Sequence, residues 1–455
     1  MAKAKTTYVC SACGDSFSAW SGKCATCGEW NTLQQLLDVA SSTKTQQAVS
    51  QGAVLQGAPL AKTDHRNPQL RYRTGVDDID IVLGGGIVPG SVTLLAGQPG
   101  IGKSTLLLQL AYAFAKRQTV LYVSGEESAD QIALRGNRVG KPTESLNVVS
   151  SNSANDIAAT IAQAKYDVVI IDSIQTIATD DVNGIAGSVS QVTNSAQLVM
   201  LAAKQSNTAV IIVGHVTKEG SIAGPKVLEH LVDVVLQLEG DRYGGFRVLR
   251  TVKNRFGSTN EAAILEMVEH GLQVVENPSA ALLSERRMSD GSVVLATLEG
   301  TRPILVEVQA LVNTTSYGYP KRAASGYDLN RLNLLVAMLE RRTKLKLADK
   351  DIYINIVGGI KITEHAADLA VCMAIASASK GMQLSDDAVV FGEVGLSGEV
   401  RHVAWVEKRL QEAAKMGFKY CIGPKLPATK NHHKSLTYTV ATDIRTILNS
   451  ALKKG

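Results

Sequence analysis

The sequence contains no run of eighteen apolar residues, so no segment reads as a membrane-spanning helix. Its start, Met1-Ala-Lys-Ala-Lys-Thr-Thr-Tyr8, carries charge but leads into neither an apolar stretch nor a cleavage site. A secretory leader is therefore not expected, and a soluble cytoplasmic protein is. An excess of one charge is lacking too: 47 basic residues against 42 acidic ones leave a formal net charge of +5. That sum argues neither for nor against nucleic acid; only a concentration of basic residues on one surface would. Cysteine is scarce after the first thirty residues, where Cys372 and Cys421 stand alone in apolar surroundings that suit small core residues. A single ordinary core is excluded by the length of 455 residues, which calls for two or three domains.

Composition divides the chain into four regions. Residues 1–30 are rich in Cys, Gly, Ser and Trp with hardly any aliphatic residues. Residues 31–66 are largely polar, with little periodicity, and read as a flexible linker. Residues 67–270 and 271–455 each alternate short β-branched runs with helical stretches, in different patterns, which implies two α/β units. Strands are expected at Val92–Ala96, Val120–Ser124, Val168–Asp172, Ala209–Gly214 and Val234–Leu238. Each is a short continuous apolar run, as strands of a parallel sheet covered on both faces should be. Between the first two, Leu106, Leu107, Leu110 and Phe114 recur at helical spacing. That makes a βαβ unit, and hence a doubly wound sheet.

Gly97-Gln98-Pro99-Gly100-Ile101-Gly102-Lys103-Ser104 fits the phosphate-binding loop pattern and lies between the first strand and its helix, the context that loop requires. Its glycines let backbone N–H groups close on phosphates at the helix N-terminus. Lys103 is placed to reach the β- and γ-phosphates, Ser104 to ligate Mg²⁺, and Thr105 completes the ATP-binding set. Val168-Val-Ile-Ile-Asp172 is an apolar strand ending in a carboxylate suited to the same Mg²⁺. Glu126 and Glu127, after the second strand, are both candidates to orient the attacking water. The alternative is that they cap the helix beginning near Ser128.

The stretch from Leu83 through Gly-Gly-Gly-Ile-Val-Pro-Gly to Gly97 resembles the RecA/DnaB/KaiC group of ATPases. Lys253-Asn254-Arg255-Phe256-Gly257, together with the N-terminal cysteines, narrows the resemblance to the bacterial RadA (Sms) family over nearly the whole chain. That resemblance implies a DNA-dependent ATPase of recombination and repair that promotes branch migration. Its partners would be single-stranded and branched DNA and a RecA-type recombinase, and it would assemble into a homo-hexameric ring. In such rings ATP lies between subunits, and Lys253 and Arg255 match the position of the neighbour's cations. His215 matches a γ-phosphate sensor. Lys218 and Lys226 on the following loop, with the polar loop Thr179–Gln191, match DNA-facing segments.

Cys10-x2-Cys13-x10-Cys24-x2-Cys27 forms two knuckles whose four thiolates suit one structural Zn²⁺, in a segment too poor in aliphatics to fold on a core of its own. Two disulfides are the competing reading, disfavoured in a reducing compartment. Trp20 and Trp30 either cover that metal or contact a partner. Residues 271–455 resemble the Lon protease domain, through Gly358-Gly-Ile-Lys-Ile-Thr-Glu-His-Ala-Ala-Asp368 and Gly392-Glu-Val-Gly-Leu-Ser-Gly-Glu-Val-Arg401. The dyad serine falls on Ala366 and the lysine on Val406, neither of which can act as nucleophile or base. An ATP-dependent protease is thereby disfavoured, and a KaiC-like phosphotransfer scaffold would not call for the zinc module. Arg341, Arg342, Lys344 and Lys346, with Lys321 and Arg322, form basic clusters that suit a phosphate-tracking surface as well as a solvated face.

Overall fold

The computed structural model describes residues 7–10, 16–17, 19–30, 32–36, 70–141, 143–215, 227–240, 245–316, 318–426 and 436–453. The chain divides into two compact units, residues 1–68 and 69–455.

In the first unit, β1 (Thr7–Cys10) pairs antiparallel with both β2 (Ser16–Phe17) and β3 (Leu33–Leu36). Leu33 and Cys24 are buried, with Tyr8 and Phe17 packed against them. The small sheet thus runs past residue 30. The linker expected from residue 31 is corrected there, because Leu33–Leu36 supplies the third strand of the ribbon; residues 37–66 lie outside the described residues.

The second unit holds two sheets. After a short helix, α1 (Asp77–Val82), β4 (Val92–Gly97) leads through the Gly-rich loop into α2 (Lys103–Phe114) and β5 (Val120–Ser124). Then follow α3 (Ala129–Val139), β6 (Leu146–Ser150), α4 (Ala154–Ala162) and β7 (Val168–Asp172). The run continues through α5 (Val189–Ser206), β8 (Ala209–His215), α6 (Val227–Leu231) and β9 (Val234–Glu239). The expected strands fall in place to within a residue at their ends. Strands β4 to β9 are parallel, and the edge is extended by antiparallel β10 (Phe246–Asn254), β11 (Ala262–Val268) and β12 (Gly271–Val274). The order is β12-β11-β10-β9-β4-β8-β7-β5-β6. Because β12 pairs with β11, the first sheet closes at Val274, beyond the boundary expected at residue 270.

Alternation along each strand sorts the core into two layers. Tyr122, Ile170 and Leu95 pack with Leu107 and Phe114 of α2 on one face. On the other, Val123, Ile171 and Leu94 pack with α4 and α5. This is the doubly wound arrangement, and it puts the C-terminal ends of β4, β5 and β7 along one crevice.

The remainder begins with α7 (Pro278–Leu283) and the hairpin of β13 (Ser292–Glu299) and β14 (Arg302–Thr314), then β15 (Arg322–Ser325), α8 (Leu329–Thr343) and β16 (Lys350–Ile356). Helix α9 (Asp368–Lys380) is buried along most of its length. It is followed by β17 (Ala388–Val390), a hairpin of β18 (Glu393–Val394) and β19 (Val400–Arg401), α10 (Val406–Lys415), β20 (Tyr420–Gly423), β21 (Thr437–Val440) and α11 (Ile444–Ala451). The main sheet is mixed, in the order β15-β16-β14-β13-β17-β20-β21. Polar bonds tie this half to the first: Arg250 of β10 meets Glu299 at 2.8 Å, Arg302 meets Asp78 of α1 at 2.6 Å, and Thr301 donates to Glu261, just before β11, at 2.9 Å.

Candidate active site

The Gly-rich loop is held close by its surroundings. A β-carbon on Gly97 would lie 2.7 Å from the Leu238 carbonyl, and Gly102, with φ of 114°, caps α2 in the left-handed region. Leu106, Leu107, Leu110 and Phe114 are buried and fix the helix against the sheet, so its N-terminal N–H groups face the loop. Lys103 is 5% exposed, and its ammonium donates to the carbonyls of Gly97 at 2.8 Å and Gln98 at 3.0 Å. Burial pushes its pKa down to about 8, while the carboxylates of Asp172 and Glu126 pull it upward. Both carboxylates are thus near enough to act on the lysine's charge.

Asp172 ends β7 in register with Ser124 of β5. The Tyr122 hydroxyl donates to Asp172 Oδ2 at 2.7 Å, and Ser173 donates to Glu126 Oε1 at 2.8 Å. Glu127 instead pairs with Arg135 of α3 at 2.9 Å. The two glutamates therefore part: Glu126 turns to the Asp172–Ser173 corner, Glu127 to the helix. Neither is needed as a cap, because Ser128 and Gln131 supply a reciprocal capping box for α3. Tyr122 and Arg135 belong to none of the motifs. The available signal was a hydroxylated ring inside an otherwise aliphatic strand interior.

The backbone of His215, last in β8, is opposite Gly97 in the register, next to the loop. Its side chain, and Lys218 and Lys226, lie outside the described residues. The loop expected over Thr179–Gln191 ends earlier, at Ser188, which caps α5; Gln191, in the first turn of that helix, is buried and donates to the carbonyls of Thr179, Val182 and Gly184, while Ile185 is 83% exposed. Lys253 donates to the carbonyls of Glu229 at 2.7 Å and Val232 at 2.9 Å, where α6 ends and β9 begins. Burial and the neighbouring Arg255 lower its pKa, against the pull of Asp233 and Glu229. Arg255 is exposed and meets Asp233 at 3.2 Å. These two cations form a cluster of their own at the foot of β10.

In the ribbon, Cys24 and Cys27 sit on a tight turn in which Gly28, at φ of 77°, donates to the Cys24 carbonyl at 3.0 Å. That knuckle, with Cys24 buried and Cys10 at the end of β1, fits a thiolate metal site; the Cys10 side chain and Cys13 lie outside the described residues. Trp20 and Trp30 are 59% and 69% exposed, so neither ring is sealed into the ribbon.

In the second half, Ala366 and Val406 are each 3% exposed and belong to the hydrophobic cluster. Lys408 donates to the Thr301 carbonyl at 2.9 Å and lies over the Trp405 ring. Charged groups beside those positions are consumed internally. Glu364 takes both guanidinium nitrogens of Arg409, and Asp368 takes Arg331 and the Tyr327 hydroxyl. Of the basic residues, Arg341, Arg342, Lys344 and Lys346 are exposed at the end of α8, and Arg445 joins them by donating to the Arg342 carbonyl at 2.7 Å. Arg322 differs: it is spent on the carbonyls of Leu347 and Lys350.

Comparison with known proteins agrees with this division. The family described as "AAA domain" matches residues 78–221, "Subunit ChlI of Mg-chelatase" residues 332–426, and "Rubredoxin metal binding domain" residues 8–35. The chain is similar to the DNA repair protein RadA of Pseudomonas aeruginosa, 46% identical with 99% of each chain covered. It is equally similar to that of Bacillus subtilis, 46% identical with 93% of each chain covered. The Aquifex aeolicus protein of the same name is 46% identical, covering 93% of this chain and 94% of its own. The solved structure "Crystal structure of the RadB recombinase" matches 45% of this chain and all of its own at a TM-score of 0.36 and 23% identity.

Proposed function

The chain belongs to the DNA repair protein RadA family, and from that premise we propose that it is a DNA-dependent ATPase of recombination and repair. It works in the cytoplasm as a homo-hexameric ring that drives branch migration on single-stranded and branched DNA, beside a RecA-type recombinase. The observation that carries this reading is the convergence of Lys103, Asp172 and Glu126 at one end of the parallel sheet. Residues Gly97 to Thr105 hold the triphosphate, with Lys103 neutralising its β- and γ-oxygens. Glu126, held by Ser173, orients and deprotonates the attacking water; Glu127 braces α3 through Arg135.

Ser104 and Asp172 would hold Mg²⁺, which supplies charge neutralisation to the phosphates. Lys253 and Arg255 reach the γ-phosphate of the neighbouring subunit's ATP, where a cation stabilises charge that grows in the transition state. His215 senses the same phosphate. Lys218, Lys226 and the 179–191 loop face DNA, and the exposed cluster of Arg341, Arg342 and Lys344 extends that track. Cys10, Cys13, Cys24 and Cys27 would hold one Zn²⁺, which supplies the ribbon with the stability its small core lacks. The second half binds and holds the ring; with Ala366 and Val406 buried it has no acyl-transfer chemistry.

The test is ATP hydrolysis by the full chain with and without single-stranded DNA, together with wild-type rings doped with Lys253→Ala. Stimulation by DNA, and a loss of activity steeper than the mutant fraction, are expected. A rate indifferent to DNA would sink DNA dependence. Loss in simple proportion to the dopant would sink the role in trans.

A further inference from the structure

We propose that Tyr122 is a positioning residue for the nucleotide's divalent cation: its phenol holds one oxygen of Asp172 and leaves the other to receive the metal. The inference rests on the reading of Asp172 as the cation's carboxylate. It goes beyond the loop and strand motifs, which do not include the tyrosine.

The segment Val120-Leu-Tyr-Val-Ser124 is buried throughout, and Tyr122 is 0% exposed. Phenylalanine would fill that volume without needing a hydrogen-bond partner. A buried hydroxyl needs one, so a tyrosine here is costly unless the oxygen has a task. Its partner is Asp172 Oδ2 at 2.7 Å. The register explains how they meet. Tyr122 lies opposite Ile170, and Ser124 opposite Asp172, on adjacent parallel strands. Tyr122 and Asp172 therefore share the face that packs on α2, one step apart along the strands, within reach of a phenol.

The far side of the hydroxyl is also organised. Arg135 extends one guanidinium nitrogen to Glu127 at 2.9 Å and a second to the Tyr122 oxygen at 3.5 Å. A cation behind the phenol oxygen favours donation of its single hydrogen forward, to the aspartate. Asp172 Oδ2 is thus engaged, the carboxylate's rotation is fixed, and cation binding falls to Oδ1. Second partners of metal-binding carboxylates commonly act in this way, by orienting a ligand before the metal arrives.

The experiment uses the full chain with ADP and follows Mn²⁺ binding by the electron paramagnetic resonance of the free ion. Tyr122→Phe removes only the hydroxyl and is expected to weaken Mn²⁺ binding about tenfold. ADP binding without metal and the melting temperature should stay near those of the parent. ATP turnover lost by Tyr122→Phe at low Mg²⁺ should return as Mg²⁺ is raised, which a general packing defect would not allow. Asp172→Asn is measured alongside. Parent-like Mn²⁺ affinity in Tyr122→Phe with weakened affinity in Asp172→Asn overturns this inference alone. Parent-like affinity in both overturns the reading of Asp172 and this inference with it. Should Tyr122→Phe fail to fold, Arg135→Gln takes its place, with a smaller weakening expected; parent-like affinity there overturns the arrangement.

Discussion

Asp172 and Asp368 both stand where an apolar element meets a loop, and their surroundings differ in kind. Asp172 stays half-buried at the C-terminal edge of β7, with Tyr122 on one oxygen and Lys103 close enough to feel its charge. Asp368 is 0% exposed, and its oxygens accept from Tyr327 at 2.6 Å, from the Val394 N–H at 3.2 Å and from the Arg331 guanidinium. Its hydrogen-bonding capacity is used within its own domain. The same contrast holds between the two halves of the second unit. In one, charged groups gather at the mouth of a parallel sheet; in the other, they are paired off inside, and Ala366 and Val406 are buried in the hydrophobic cluster. A carboxylate can serve chemistry only when its own fold leaves it incompletely coordinated.

The sharpest way to break this comparison is at Lys103. Lys103→Ala should lower ATP turnover by roughly a hundredfold or more, since it removes the cation on the phosphates. Melting should be near normal, because the variant removes a cation whose charge burial already disfavours. Near-normal hydrolysis by a folded variant would end the assignment.

At the other carboxylate the opposite pattern is expected. Asp368→Ala takes the carboxylate from the half-buried Arg331 and from the buried Tyr327 hydroxyl, and should cost roughly 3–5 kcal/mol in denaturant unfolding, with ATP binding by the folded fraction unchanged. Equal stability would mean that the pair is not holding the domain.

A third variant sharpens the view of the second half as a binding surface. Reversing Arg341, Arg342 and Lys344 to Glu should weaken single-stranded DNA binding about tenfold at low salt, and less as salt rises, because the contacts are to phosphates. A loss that salt does not reduce would point to a folding defect instead.

The smallest effect is expected where the two sheets meet. Burial pushes the Glu299 carboxyl up to about 7, with Glu239 and Glu364 adding to the shift and Arg250 opposing it. A carboxyl raised on folding stabilises the protein most below the ordinary carboxylate range, and that contribution is lost as pH rises toward about 7. The melting temperature of the parent relative to Glu299→Gln should therefore fall between about pH 5 and 7 and level off above, by a few degrees at most. A constant difference across that window would show that Glu299 does not titrate there.

Legibility in the sequence followed locality. The five parallel strands with apolar runs are legible to within a residue, because each carries its signal in consecutive residues buried on both faces. Strand β6 carries a weaker signal: it is an edge strand, exposed along much of Leu146–Ser150. The hairpins β10 to β12 alternate less cleanly, and the boundary expected at residue 270 falls inside one of them. In the ribbon, Leu33–Leu36 reads as linker because its pairing with β1 is non-local.

Local in the chain, and legible from it, are the Gly-rich loop with Lys103, the strand ending in Asp172, the cysteine spacing, and Ala366 and Val406 where the resemblance to the Lon protease domain puts its dyad. These are matters of residue type and short spacing, and folding does not change them. Three-dimensional packing alone decided that Glu126 faces Ser173 while Glu127 faces Arg135, and that Arg322 is spent on backbone carbonyls while Arg341 is exposed. It also decided that Tyr122 holds Asp172, a partner 50 residues away. Such pairings depend on which strands become neighbours and in what register, and a side chain's chemistry is set by what stands beside it in space.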